Sequence, residues 1–139
     1  MDFSIHHLHH MNHIAILVSA LILWILGAVW YSPALFARPW MAALNIVPGP
    51  KKGLATGMVS SFIGDLLVAF VLLHVILWSG ASTFLAGAFV GLLCWLGFIV
   101  ATQFPQGIYE GRPPKIFAIN SGYWFVGLLI IGGLLAVWK

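Results

Sequence analysis

Four long apolar runs occupy most of the chain: Ile14–Tyr31, Leu54–Trp78, Thr83–Phe104 and Ile116–Trp138, of 18, 25, 22 and 23 residues. A helix needs about 20 apolar residues to cross the hydrocarbon core of a bilayer. Backbone N–H and C=O groups at that depth must be satisfied within the segment, which a helix achieves. The runs therefore predict an all-α integral membrane protein, a four-helix bundle. Residues 11–139 form its single four-span domain, and residues 1–10 form a histidine-rich tail.

Composition agrees with that class. Hydrophobic residues make up 62% of the chain and charged residues 6%, where soluble domains carry about 25% charged residues. The first expected partner is the lipid bilayer. The one cysteine, Cys94, lies inside the third run, so no internal disulfide is available. The net charge of +3 does not point to nucleic acid, because the basic residues sit in short loops beside helix ends, where they report topology.

Arg38, Lys51 and Lys52 occupy the first loop, and Arg112 and Lys115 the third. The opposite side has Lys139 alone. The positive-inside rule then places both basic loops in the cytoplasm and both termini outside. Trp30, Tyr31 and Trp40 flank one interface, and Trp78 and Trp138 the other. No secretory signal pattern precedes the first run, which is expected to be retained as a span.

Proline sets the loop boundaries. Pro33, Pro39, Pro48 and Pro50 keep the first loop from extending the helix, while Leu35–Leu44 has the mix of Phe36, Trp40, Met41 and Arg38 expected of an interfacial segment. Pro105, Pro113 and Pro114 are expected to do the same in the third loop. Gly53 opens the second span, and Ser79-Gly80-Ala81-Ser82 makes a tight turn.

Runs two and four align with one another: Ala55 falls on Ala118, Phe62 on Phe125, Gly64 on Gly127 and Leu66 on Leu129. The ends of runs one and three share Pro33…Phe36…Arg38-Pro39 and Pro105…Tyr109…Arg112-Pro113. Two hairpins related by a parallel pseudo-repeat would produce this, as would chance among sequences drawn from few residue types. Asp65 aligns with Leu128, so any symmetry is broken there.

Asp65 is the one acidic residue inside the four runs. A carboxyl at mid-membrane is costly and marks a functional candidate. At about 100° per residue, Gly57, Ser61, Gly64, Asp65 and Val68 share one side of their helix. Small residues there admit a neighbouring helix, and Thr83, Gly87 and Gly91 offer a matching stripe on the third run. Asn120 is the other strongly polar group in a run. Asp65 serves proton coupling or cation binding on one reading. On the other it is a neutral carboxyl that hydrogen-bonds across helices and holds the bundle together. His74 falls on the opposite side of the same helix, about 13 Å along, and reads as an interfacial ring.

In the tail, His6, His9, His10 and His13 fall on one stripe if the first helix extends outward. Such spacing presents imidazoles to a transition metal or to the central metal of a tetrapyrrole. Histidine-rich tails also bind metals incidentally. No nucleotide-binding loop, nucleophile elbow, zinc-protease motif or carboxylate pair is present. Glu110 and Arg112 read as a local ion pair.

The stretch Gly27-Ala-Val-Trp30-Tyr31-Ser32-Pro33-Ala-Leu-Phe36, with Trp40 following, forms one motif. The stretch Glu110-Gly111-Arg112-Pro113…Lys115…Phe117…Ile119-Asn120-Ser-Gly122-Tyr123 forms a second. Together they resemble the signatures of a family of small bacterial membrane proteins, domain of unknown function 1761, over about Met11 to Lys139. The resemblance implies four helices in a bacterial membrane; members of the family typically begin near Met11, which makes the histidine-rich stretch either this chain's own extension or a misplaced start. It assigns no activity, so no catalytic or binding residue is carried over. Trp30, Tyr31, Pro33, Glu110, Arg112 and Asn120 cluster toward the cytoplasmic side and form a second candidate site.

Three functions fit these features. The leading one is an accessory or structural subunit that packs in a homo-oligomer or a larger membrane complex. The others are a dimeric proton-coupled transporter or channel using Asp65, and a membrane enzyme with a site at Glu110, Arg112 and Asn120.

Overall fold

The computed structural model describes residues 11–47 and 53–138, and among them it contains helices and no strand. The elements are α1 (His13–Trp30), α2 (Ala37–Ala43), α3 (Leu54–Ser79), α4 (Phe84–Cys94), a π-helical turn (Trp95–Val100), α5 (Ala101–Tyr109) and α6 (Pro114–Val137). The helix α4, the π turn and α5 run on as one span, so four helices are long and apolar enough to cross a membrane.

The ends of these helices follow from local chemistry. The Asn12 side chain accepts from the Ala15 N–H at 3.0 Å, and Thr83 Oγ1 accepts from the Ala86 N–H at 3.1 Å, each satisfying a donor that the first turn leaves free. Gly53 and Gly80 bracket α3 at φ 80° and 76°, a backbone conformation that costs glycine little. Pro114 opens α6, where its missing N–H is no loss. The segment expected at the interface forms the short helix α2, its Trp40 ring meeting Tyr31 edge-on at 5.5 Å.

Pro105 does not end the third span. The helix passes through it to Tyr109, five residues beyond the apolar run. The π turn lies immediately before it, with the Ala101 N–H reaching back to the Leu96 carbonyl. Local π adjustment of this kind lets a membrane helix carry a proline.

The last span, α6, is central and packs against each of the others. The core lies toward the end away from the basic loops, where Leu23, Leu73, Ile76, Ile131 and Leu135 are fully buried. Asn12 Nδ2 donates to the Trp138 carbonyl there at 3.2 Å. At the basic end the packing opens: every residue of α3 from Leu54 to Ser61 is exposed.

The glycines divide accordingly. A Cβ on Gly87 would come within 2.1 Å of the Gly132 carbonyl oxygen, and one on Gly91 within 2.2 Å of that of Leu128. Their stripe therefore seats against α6, not against the Asp65 side of α3, because Gly132 and Ala136 leave the α6 backbone bare. At Gly57 and Gly64 a Cβ would meet nothing within 4 Å. The close approach expected at these two positions is not made within this chain, since the basic-end half of α3 has few neighbours. The two hairpins are also placed unequally: Gly64 stands open, whereas its counterpart Gly127 packs on Leu23.

Candidate functional site

Asp65 lies on α3 and is 5% exposed. It is the first buried residue of α3 met from the basic end, one turn beyond the exposed Ser61. Among the described residues, no hydrogen bond reaches its carboxyl. Ser19 on α1 is completely buried, and its hydroxyl also lacks a partner. On α6, Tyr123 is buried and donates to the Leu23 carbonyl at 2.8 Å. The Asp65 carboxyl lies within electrostatic reach of that phenol. Buried polar groups are nearly always paired, so the unpartnered Ser19 hydroxyl has hydrogen-bonding capacity to spare. Ser61, expected beside Asp65, is exposed.

The two sequence motifs meet as one joint. Trp30 Nε1 donates to the Ile119 carbonyl at 2.9 Å, and its ring covers Gly122, where a Cβ would sit 3.1 Å from Trp30 Cζ2. The Tyr31 hydroxyl donates to Asn120 Oδ1 at 2.6 Å. A Cβ on Gly27 would contact the Tyr123 hydroxyl at 3.4 Å. Pro33 sits in the turn between α1 and α2, where the Phe36 N–H returns to the Trp30 carbonyl at 3.1 Å. From the other side of α6, Trp95 Nε1 donates to the Ser121 carbonyl at 2.8 Å.

A half-open cleft of about 370 Å³ lies between α5 and the start of α6, lined by Gln106, Glu110, Arg112 and Asn120 among others. Arg112 Nε and Glu110 Oε2 are 2.6 Å apart, and Gln106 Nε2 donates to Glu110 Oε1 at 3.0 Å. Asn120 thus belongs to both the joint and the cleft, whereas Asp65 belongs to neither.

His74 Nδ1 donates to the Phe70 carbonyl at 2.8 Å, its ring in edge contact with those of Phe70 and Trp78. His6, His9 and His10 lie outside the described residues, and His13 opens α1 and is exposed. Among the described residues, no three His, Cys, Asp or Glu side chains gather as a metal site.

Sequence reasoning singled out Asp65 and the joint but passed over Ser19, Gln106 and the glycines of α6. Gly132-Gly133 was a visible signal for a close helix approach, whereas a lone serine in an apolar run carries none.

A family model described as "Protein of unknown function (DUF1761)" matches residues 14–136. No curated protein and no solved structure matches the chain significantly.

Proposed function

The chain belongs to the DUF1761 family, and we propose that it is a small multi-pass transport protein or channel in which Asp65 takes up and releases a proton or a small cation. The observation that carries this reading is the Asp65 carboxyl, nearly buried and without a hydrogen bond. A carboxyl kept only to tie helices together would hydrogen-bond across them. This one sits instead at the border between the packed and open parts of α3. The border gives it a route to exchange, and its carboxyl oxygens, free of hydrogen bonds, give an arriving ion or proton something to bind.

A second reading, an accessory subunit in a homo-oligomer or larger complex, is supported by the exposed basic-end half of α3. Thr56, Gly57, Ser60 and Ser61 there present small and polar groups where lipid would otherwise lie, as helix–helix contacts in membranes do. The two readings are compatible in a transporter that works as a dimer. On either one, the basic loops face the cytoplasm of a bacterial inner membrane.

Modification by a hydrophobic carbodiimide tests the proposal, because the reagent adds to protonated carboxyls in apolar surroundings. Purified protein should gain one adduct on Asp65, located by mass spectrometry, at a rate that falls as pH rises. Asp65→Asn should abolish it. Labelling that never reaches Asp65, or that ignores pH, would sink the reading.

A further inference from the structure

The cleft between α5 and α6 plays no part in the Asp65 centre, and its chemistry is different. Its volume of about 370 Å³ falls within the usual range for small-molecule sites, about 300–1,000 Å³. It is dipolar. The α5 helix ends beside it, at Tyr109, with carbonyls that carry partial negative charge. The α6 helix begins beside it, at Pro114, where the helix dipole places partial positive charge although Pro113 and Pro114 carry no N–H themselves. Glu110 strengthens the first pole and Arg112 the second, held close by a turn with Gly111 at φ 68°.

Glu110 and Arg112 already pair, but they are 38% and 50% exposed. Exposed pairs contribute little, so an occupant can insert between them at small cost. A guanidinium has five N–H donors, and one contact to Glu110 leaves it able to hold a second anion. Below the charged rim the wall is apolar, with Phe104 and Phe117 edge-to-face at 5.2 Å. These rings belong to two membrane-spanning helices, so the wall runs from headgroup depth toward the hydrocarbon.

We propose that this cleft binds a phosphate group bearing an amine, as the headgroup of a zwitterionic phospholipid. The phosphate sits on Arg112 and the start of α6, and the ammonium on Glu110 and the end of α5. The acyl chains leave along Phe104 and Phe117. A purely anionic headgroup would meet the Glu110 carboxylate and the negative helix end with nothing to offset them. The apolar wall favours a lipid over the free headgroup.

Delipidated protein in mild detergent, offered equal amounts of phosphatidylethanolamine, phosphatidylglycerol or soluble phosphoethanolamine, tests this by native mass spectrometry. The amine-bearing lipid should be retained about tenfold over phosphatidylglycerol, a difference of about 1.4 kcal/mol. Glu110→Gln should bring that ratio close to one, and Arg112→Gln should weaken both lipids. Equal retention of the two lipids by the unaltered protein, which needs no variant to fold, overturns the proposal. So does a lipid preference that survives Glu110→Gln. Phosphoethanolamine binding as tightly as the lipid overturns the membrane source and makes the ligand a soluble one. None of these results depends on Asp65.

Discussion

The Tyr31 hydroxyl and the Asn120 carboxamide meet at 2.6 Å across 89 positions of sequence. That bond couples the end of the first span to the first turns of the last one, and it holds Asn120 in the wall of the α5–α6 cleft. Two motifs far apart in the chain are therefore one mechanical element, with Trp30 over Gly122 and Gly27 under Tyr123 completing it.

Removing the Tyr31 hydroxyl should loosen this joint without unfolding the protein. Tyr31→Phe is expected to cost about 0.6–2 kcal/mol, the range for interhelical hydrogen bonds in membranes, read by equilibrium unfolding in mixed detergent. Adding Asn120→Leu should cost less than it does in the unaltered protein. Strict additivity of the two changes would show that the residues are not coupled.

Asp65→Leu separates the two roles of the carboxyl. A group with no hydrogen bond gives up nothing when it is replaced, and its burial penalty of about 1–3 kcal/mol is relieved. The variant should therefore be at least as stable as the parent in the same unfolding assay. A clear loss of stability would mean that the carboxyl holds the helices together.

Two glycine substitutions should behave oppositely. Gly87→Ala puts a Cβ against the Gly132 carbonyl and forces α4 away from α6, at about 1–3 kcal/mol for overpacking. Gly57→Ala meets open space and gains up to about 1 kcal/mol of helix propensity. If α3 also carries a self-association face, Gly57→Leu should lower the oligomer fraction in cross-linking while leaving the monomer folded.

The orientation can be checked on a Cys94→Ala background. A cysteine at Lys115 should resist an impermeant thiol reagent in intact cells, and one at Ser82 should react. The reverse pattern would invert the topology.

Hydrophobic run length was enough to find the four spans, because lipid selects for length and apolarity with little regard to sequence detail. It misplaced the end of the third span at Pro105, since a proline reads as a stop unless the π turn preceding it is known. It identified Gly87 and Gly91 as contact residues but paired them with α3. A small-residue stripe says that a helix approaches closely and does not say which one. Ser19 was illegible for a similar reason. Its significance is that nothing bonds to its hydroxyl, which only the arrangement of the neighbouring helices reveals.

The central position of α6 also bears on how the protein is made. Its residues leave the ribosome after those of the other three spans, yet they supply the surface on which Gly87 and Gly91 seat and on which Trp30, Tyr31 and Trp95 find their acceptors. Until then α1 and α3 have one another, while α4 waits in the bilayer with its glycines uncovered. Full packing of the bundle therefore waits on insertion of α6. Premature termination just before Pro114 would leave one helical hairpin and an orphan helix, a natural substrate for membrane quality control.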